Sequence, residues 1–272
     1  VLARVGKVKM DVRTEGVDGT LNHQTSTQSF RYVESPNSLT AADLAGTDLV
    51  FQDALGRWRF REPFFDENND QRFDFVGVLI HAEMSGKLEE KDLFGAVTRG
   101  TITKKFVILH NQAKLSENHQ KTTGITPDGT QVGSDTLLTY RYTEASDTAA
   151  SLAGTDYVWG GKILKKFIDP FTGSIFSGLL KGVDPKWSTT HSVDLFGTVT
   201  DNKIHQTFII VKQQSRLVRV TTRSTTTGLD GTQTTSIEKL LYGYTGPQSV
   251  PEDLSQTNLL NPDGSVRDIF LY

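Results

Sequence analysis

Residues 92–142, DLFGAVTRGTITKKFVILHNQAKLSENHQKTTGITPDGTQVGSDTLLTYRY, decide the fold, because residues 194–244, DLFGTVTDNKIHQTFIIVKQQSRLVRVTTRSTTTGLDGTQTTSIEKLLYGY, repeat them without a gap. About 20 of the 51 positions are identical, among them Phe106/Phe208, Leu115/Leu217, Asp128-Gly129-Thr130/Asp230-Gly231-Thr232, Tyr140/Tyr242 and Tyr142/Tyr244. Self-similarity at a fixed period is the mark of a repeat architecture, in which each unit is one supersecondary module.

Working outward, the N-terminus carries the end of the same unit. Asp18-Gly19-Thr20 is followed, at the same distances, by Phe30 and Tyr32. The beginning of the unit, Leu44-Ala45-Gly46-Thr47-Asp48, recurs as Leu152-Ala153-Gly154-Thr155-Asp156, and more weakly as Leu254-Ser255-Gln256-Thr257-Asn258. The chain therefore divides into a terminal hairpin (1–37), one full unit (38–144), a second (145–246) and the start of a split third (247–272).

The unit reads as all-β. Its runs of five to ten residues are rich in Val, Ile, Thr, Phe and Tyr and broken by turn residues. In the second unit these runs are 155–166, 174–180, 195–200, 204–212, 217–226 and 238–244. Asp-Gly supplies the positive φ angles of a tight hairpin, so each D-G-T triplet is expected to join two long antiparallel strands. Val8, Met10 and Val12 alternate with Lys7, Lys9, Asp11 and Arg13, which predicts a strand with one buried face. Helix is confined to a turn or two at 38–45 and 145–152. Six antiparallel strands per unit suggest a small barrel or sandwich that removes exposed edges.

The split third unit raises the question of how the ends are satisfied, since an isolated hairpin is marginal in water. Three arrangements answer it. The ends meet within the chain, or they complement a neighbouring chain, or the sequence is cut from a longer array. Residue 1 is Val rather than Met, which fits a processed or excised chain.

Composition narrows the chemistry. The chain has 29 basic and 32 acidic residues, a net charge of −3, and so no electrostatic footprint for nucleic acid. No apolar run is long enough for a transmembrane helix. The absence of cysteine excludes disulfides, thiolate zinc sites, Fe–S clusters and a cysteine nucleophile.

The best metal candidate is the acidic loop 66–74, with oxygen ligands at Asp66, Asn68, Asp70 and Asp74, a spacing suited to Ca2+. It is not an EF-hand, because Gln71 and Gly77 stand where that loop needs Gly and Glu; the competing reading is a solvated hairpin insertion. No cofactor other than Ca2+ is called for. His81 with Glu83, and His191 with Asp194, are candidate acid–base pairs, and Glu83, Glu89, Glu90 and Asp92 cluster in sequence. No phosphate loop, nucleophile elbow or dinucleotide fingerprint occurs. The tyrosine pairs, at i, i+2 on one sheet face, read either as core with hydroxyls at the rim or as a ligand platform.

These observations favour a non-enzymatic β-repeat protein for assembly or binding, a secreted surface, fibre or virion component that self-associates through its ends. The alternative is a duplicated β-barrel holding a small lipophilic molecule, possessing in some cases cyclase chemistry. A carbohydrate-active enzyme would need two carboxylates facing across a cleft.

Overall fold

The computed structural model describes residues 5–17, 19–33, 40–45, 47–60 and 78–244. Its strands are β1 (Lys7–Glu15), β2 (Leu21–Tyr32), β3 (Val50–Gln52), β4 (Trp58–Phe60), β5 (Leu79–Lys91), β6 (Val97–Leu109) and β7 (Gln112–Ile125). They continue with β8 (Gln131–Tyr142), β9 (Val158–Trp159), β10 (Lys162–Ile163), β11 (Leu180–Val193), β12 (Val199–Val211), β13 (Gln214–Thr227) and β14 (Gln233–Leu241). Ten of them form one antiparallel sheet in the order β1-β2-β5-β6-β7-β8-β11-β12-β13-β14, and β3–β4 and β9–β10 are separate two-stranded pairs. The all-β reading holds. The units do not close as separate barrels or sandwiches: β8 pairs with β11 along its length, so both lie in a single open sheet.

Two connections interrupt the meander, each lying between a pair of neighbouring long strands. Residues 40–45 and 47–60, before β5, and residues 144–179, before β11, form small plugs at the same end of the sheet. In the second, Leu152, Tyr157 and Ile175 are buried with Val183 and Ile210 of the sheet, and Ile163 and Phe167 pack around them. In the first, Leu44 and Val50 are buried with Val33 and Ile80. Each plug bonds to a strand edge that the sheet leaves open. The β5–β6 ladder begins only at Glu83↔Lys105, and above it Asp48 N–H donates to Ile108 O at 3.0 Å. The β11–β12 ladder begins at Thr189↔Lys203, and above it Asp156 N–H donates to Ile210 O, also at 3.0 Å.

Away from the plugs the sheet is one layer thick. This explains one departure from the sequence reading: Val8, Met10 and Val12 do share a face of β1, but that face is not covered, and Met10 and Val12 are exposed.

Five β-bulges or register shifts fit the sheet to its plugs. The β6–β7 register skips Ser116, pairing Phe106 with Leu115, and the β12–β13 register skips Val218, pairing Phe208 with Leu217. Because side chains alternate with period two, skipping one residue swaps faces. Leu115 and Ala113 thereby turn toward the plug side, in place of Ser116 and Lys114. The other three shifts lie at Arg31/Tyr32 and, in β8–β11, at Leu180/Gly182 and Pro185/Trp187.

Several local expectations are corrected. Residues 155–166 are not one strand: a Gly160-Gly161 turn with φ of 56° and 74° folds them into the β9–β10 hairpin, because Tyr157 and Ile163 both reach the plug core. Residues 174–180 contribute an isolated bridge, Ile168↔Ile175. Residues 195–200 and 204–212 are not two strands, since 199–211 is continuous and Asp194-Leu195-Phe196-Gly197 is its turn. Helix is limited to 3-10 turns at Ala41–Leu44 and Lys165–Phe167 among the described residues.

Candidate binding surface

The D-x-x-G sequence builds its turn from its own side chain. Asp92 Oδ1 accepts the N–H groups of Phe94 (2.9 Å) and Ala96 (2.8 Å), and Asp194 Oδ1 accepts those of Phe196 (2.9 Å) and Thr198 (2.8 Å). Gly95 and Gly197 take the positive φ that closes the turn, 93° and 84°. The backbone N–H of Thr198, followed by the other turn donors, holds the Asp194 carboxyl below its ordinary range. Asp194 is thus committed to the turn, and His191 instead contacts Asp201, with Nδ1 to Oδ1 at 2.7 Å. His81 Nε2 lies 3.7 Å from Glu83 Oε2, both exposed. Glu89 pairs with Arg99 at 2.9 Å, while Glu90 occupies the opposite face. The four acids of that cluster are not brought to one site. Asp66, Asn68, Asp70 and Asp74 lie outside the described residues, and among those described no three His, Asp or Glu are placed to hold a metal ion.

Two constellations emerge that sequence spacing does not reveal. Ser177 Oγ lies 3.1 Å from His110 Nε2, and Asp48 Oδ2 lies 3.7 Å from that same nitrogen. A nucleophile–base–acid relay needs the acid on the opposite ring nitrogen. Asp48 is moreover bound by the His110 backbone N–H at 2.8 Å, so the group ties plug to sheet instead of activating the serine. The second lies on β7, β8 and β11. Asp135 Oδ1 accepts from Trp187 Nε1 (2.7 Å) and contacts His119 Nε2 (2.8 Å), with the His119 and Trp187 rings edge to face at 5.9 Å. The Trp187 hydrogen bond, more than His119, lowers the Asp135 pKa. This cluster fixes a half-exposed indole on the sheet surface.

The two faces differ in chemistry. One is charged, with cross-strand pairs such as Glu89–Arg99 and Lys105–Glu117 (2.8 Å). Such exposed pairs stabilise by about 1 kcal/mol at most. The other, which the plugs partly cover, carries hydroxyls and amides bonded across strands: Thr122–Ser134 at 2.7 Å, Thr136–Ser188 at 3.0 Å, Thr200–Thr226 at 3.1 Å and Asn202 to Thr190 at 2.7 Å. The heavy threonine content of the sequence is spent here.

On this second face a shallow depression of about 430 Å³ is lined by Asn22, Gln24, Leu88, Thr98, Gln120 and Thr122, among others. Gly100 lies in the middle of the row Gln24, Leu88, Gly100, Thr122 and Ser134. A Cβ there would stand 2.6 Å from Lys121 O, so the close approach of β7 requires glycine. Amide and hydroxyl groups over Leu88 and Ile102, with the single carboxylate of Glu90, suit a neutral, hydrogen-bonding ligand.

The tyrosine pairs serve the bulges. Tyr142 O–H donates to Leu115 O and Tyr244 O–H to Leu217 O, each at 2.8 Å, binding the carbonyl beside the skipped residue. Tyr140 packs against the second plug.

No family model, curated protein or solved structure matches the chain.

Proposed function

We propose that the chain is a non-enzymatic β-repeat module whose work is assembly or binding, as a component of a cell surface, a fibre or a virion. The observation that carries this reading is the open ten-stranded sheet, in which equivalent strands of the two copies make equivalent bonds. A four-strand unit with its plug adds edge to edge without rearranging its neighbour. In this scheme β1 and β2 are the closing strands of one unit, and residues 247–272 open the next.

Lateral strand addition is the assembly step that follows. Among the described residues β1 and β14 each have a strand neighbour on one side only. Tyr242 N–H donates inward to Val218 O, so by antiparallel alternation the N–H groups of Ile237 and Lys239 face the open side of β14. Ile237→Pro removes an outward donor and keeps the inward ladder. Sedimentation velocity over a range of concentrations should show association of the parent protein and smaller assemblies in Ile237→Pro, with unchanged circular dichroism. Identical sedimentation of the two proteins would count against the reading.

A further inference from the structure

Five hairpin turns, at 16–20, 92–96, 126–130, 194–198 and 228–232, lie along one edge of the sheet, opposite the plugs. All five close in the same way, with the first N–H bonded to the fifth C=O at 2.8 to 3.0 Å. The second position is apolar in every one: Val17, Leu93, Pro127, Leu195 and Leu229. Three of these lean on the glycine of the preceding turn. Leu93 lies over Gly19, Leu195 over Gly129 and Leu229 over Gly197, so close that a Cβ on each glycine would stand 3.0, 3.3 and 3.0 Å away. The turns thus form an apolar ridge in two stretches, 16–20 with 92–96 and then 126–130 through 228–232, since nothing lies within 4 Å of a Cβ placed on Gly95.

The third position alternates along the four turns in which it is described: Phe94, Asp128, Phe196, Asp230. Phe94 and Phe196 are 79% and 75% exposed. They stand four strands apart, roughly 19 Å at ordinary strand spacing. Both copies of the unit place a phenylalanine where the fold gives it no contact to bury. An uncovered apolar ridge of this kind marks an interaction site.

Charge selects the occupant. Asp92, Asp128, Asp194 and Asp230 sit in the ridge, so two such edges repel each other, and an anionic bilayer repels them too. The plug-bearing end is the complement. There Lys162, Lys165, Lys166 and Lys212 are exposed and make no ion pair among the described residues, beside the exposed aromatics Phe171 and Trp159. Plugs recur every four strands, as the phenylalanines do, but the four lysines belong to the second plug and the β12–β13 turn beside it; in the first plug Arg57 and Arg59 both pair with Asp53. We propose that the turn edge is a self-association surface, seating on the basic, plug-bearing end of a second copy and stacking sheets along the strand direction. This rests on reading the protein as an assembling module, and gives it a second axis.

The ridge is narrow: about 43 Å by 10 Å, or roughly 430 Å² per partner at ordinary strand spacing, against the roughly 800 Å² of a standard interface. Single contacts are therefore weak, and association is expected at high protein concentration.

The test is sedimentation velocity on Phe94→Asp/Phe196→Asp, a double variant that folds because Asp128 and Asp230 already occupy that turn position in the same chain. Measured in the Ile237→Pro background, where lateral addition is blocked, the parent should still associate. The double variant should associate about tenfold more weakly or less. Lys165→Glu/Lys166→Glu/Lys212→Glu should weaken it likewise, as should added salt. A monomeric Ile237→Pro protein at every concentration overturns the proposal and leaves lateral addition standing. Unchanged association in the double variant also overturns it. So does a protein that stays monomeric but co-sediments with phosphatidylcholine vesicles through Phe94 and Phe196.

Discussion

At the residue scale, one tyrosine in each copy is kept for a carbonyl. The bulge at Ser116 leaves Leu115 O without its usual ladder partner, and Tyr142 O–H supplies one at 2.8 Å. Burial, and secondarily the neighbouring Tyr140, pushes the Tyr142 phenol up to about 12. An acid whose folded pKa lies above its unfolded value, about 10, binds its proton more tightly when folded. Its contribution is fully present below pH 10 and is lost as the pH rises through 12. Tyr142→Phe should therefore cost about 1 kcal/mol at neutral pH from the missing hydrogen bond. Between pH 10 and 12 its melting temperature should fall less steeply than the parent's, and thermal denaturation across that range checks both effects.

Elements are held by turns of two designs. The D-x-x-G and D-G-T turns draw their geometry from a side chain that bonds its own backbone, and the D-G-T turns are legible in the sequence because that chemistry is local. The tight turns at the plug end are not. His110-Asn111 and Lys212-Gln213 take φ of 51°, 58°, 50° and 59° without a glycine, stabilised from outside by the Asp48 and Asp156 carboxylates, which accept the His110 and Lys212 N–H groups. Gln213→Gly should relieve left-handed strain and raise stability by about 1 kcal/mol, read by chemical denaturation. The same contrast governs what sequence revealed. Strand β11 has no counterpart among the runs read from the sequence, and its Pro185, a residue rare inside strands, sits at a bulge beside the unpaired stretch of β12. Leu195 and Phe196 read as strand because their apolar character suggests burial, and they are exposed on a turn. The His119–Asp135–Trp187 cluster was hidden by separations of 16 and 52 residues that only the β7–β8–β11 register brings together.

At the scale of the whole molecule, all-β structure and antiparallel hairpins followed from strand periodicity, but the choice between closed units and one open sheet did not. Threonine fits a wet face and a packed one equally, so the pattern carries no sign of which face is covered. The apolar clusters then sit apart, two in the first unit and one in the second, linked by the β8–β11 ladder and the packing around it. Leu152→Ala, at a fully buried position, should cost about 2–5 kcal/mol. In a quasi-one-dimensional array that loss stays local. Hydrogen exchange should rise around Ile210 and leave Ile108 protected. A uniform rise across both units would contradict this. The orientation of the strands has a mechanical consequence as well. Tension from turn edge to plug end runs along covalent backbone and loads the ladders together in shear. Tension across the strand order instead pulls on each ladder in turn and opens it like a seam. The sheet has a grain, strong along its strands and tearable across them.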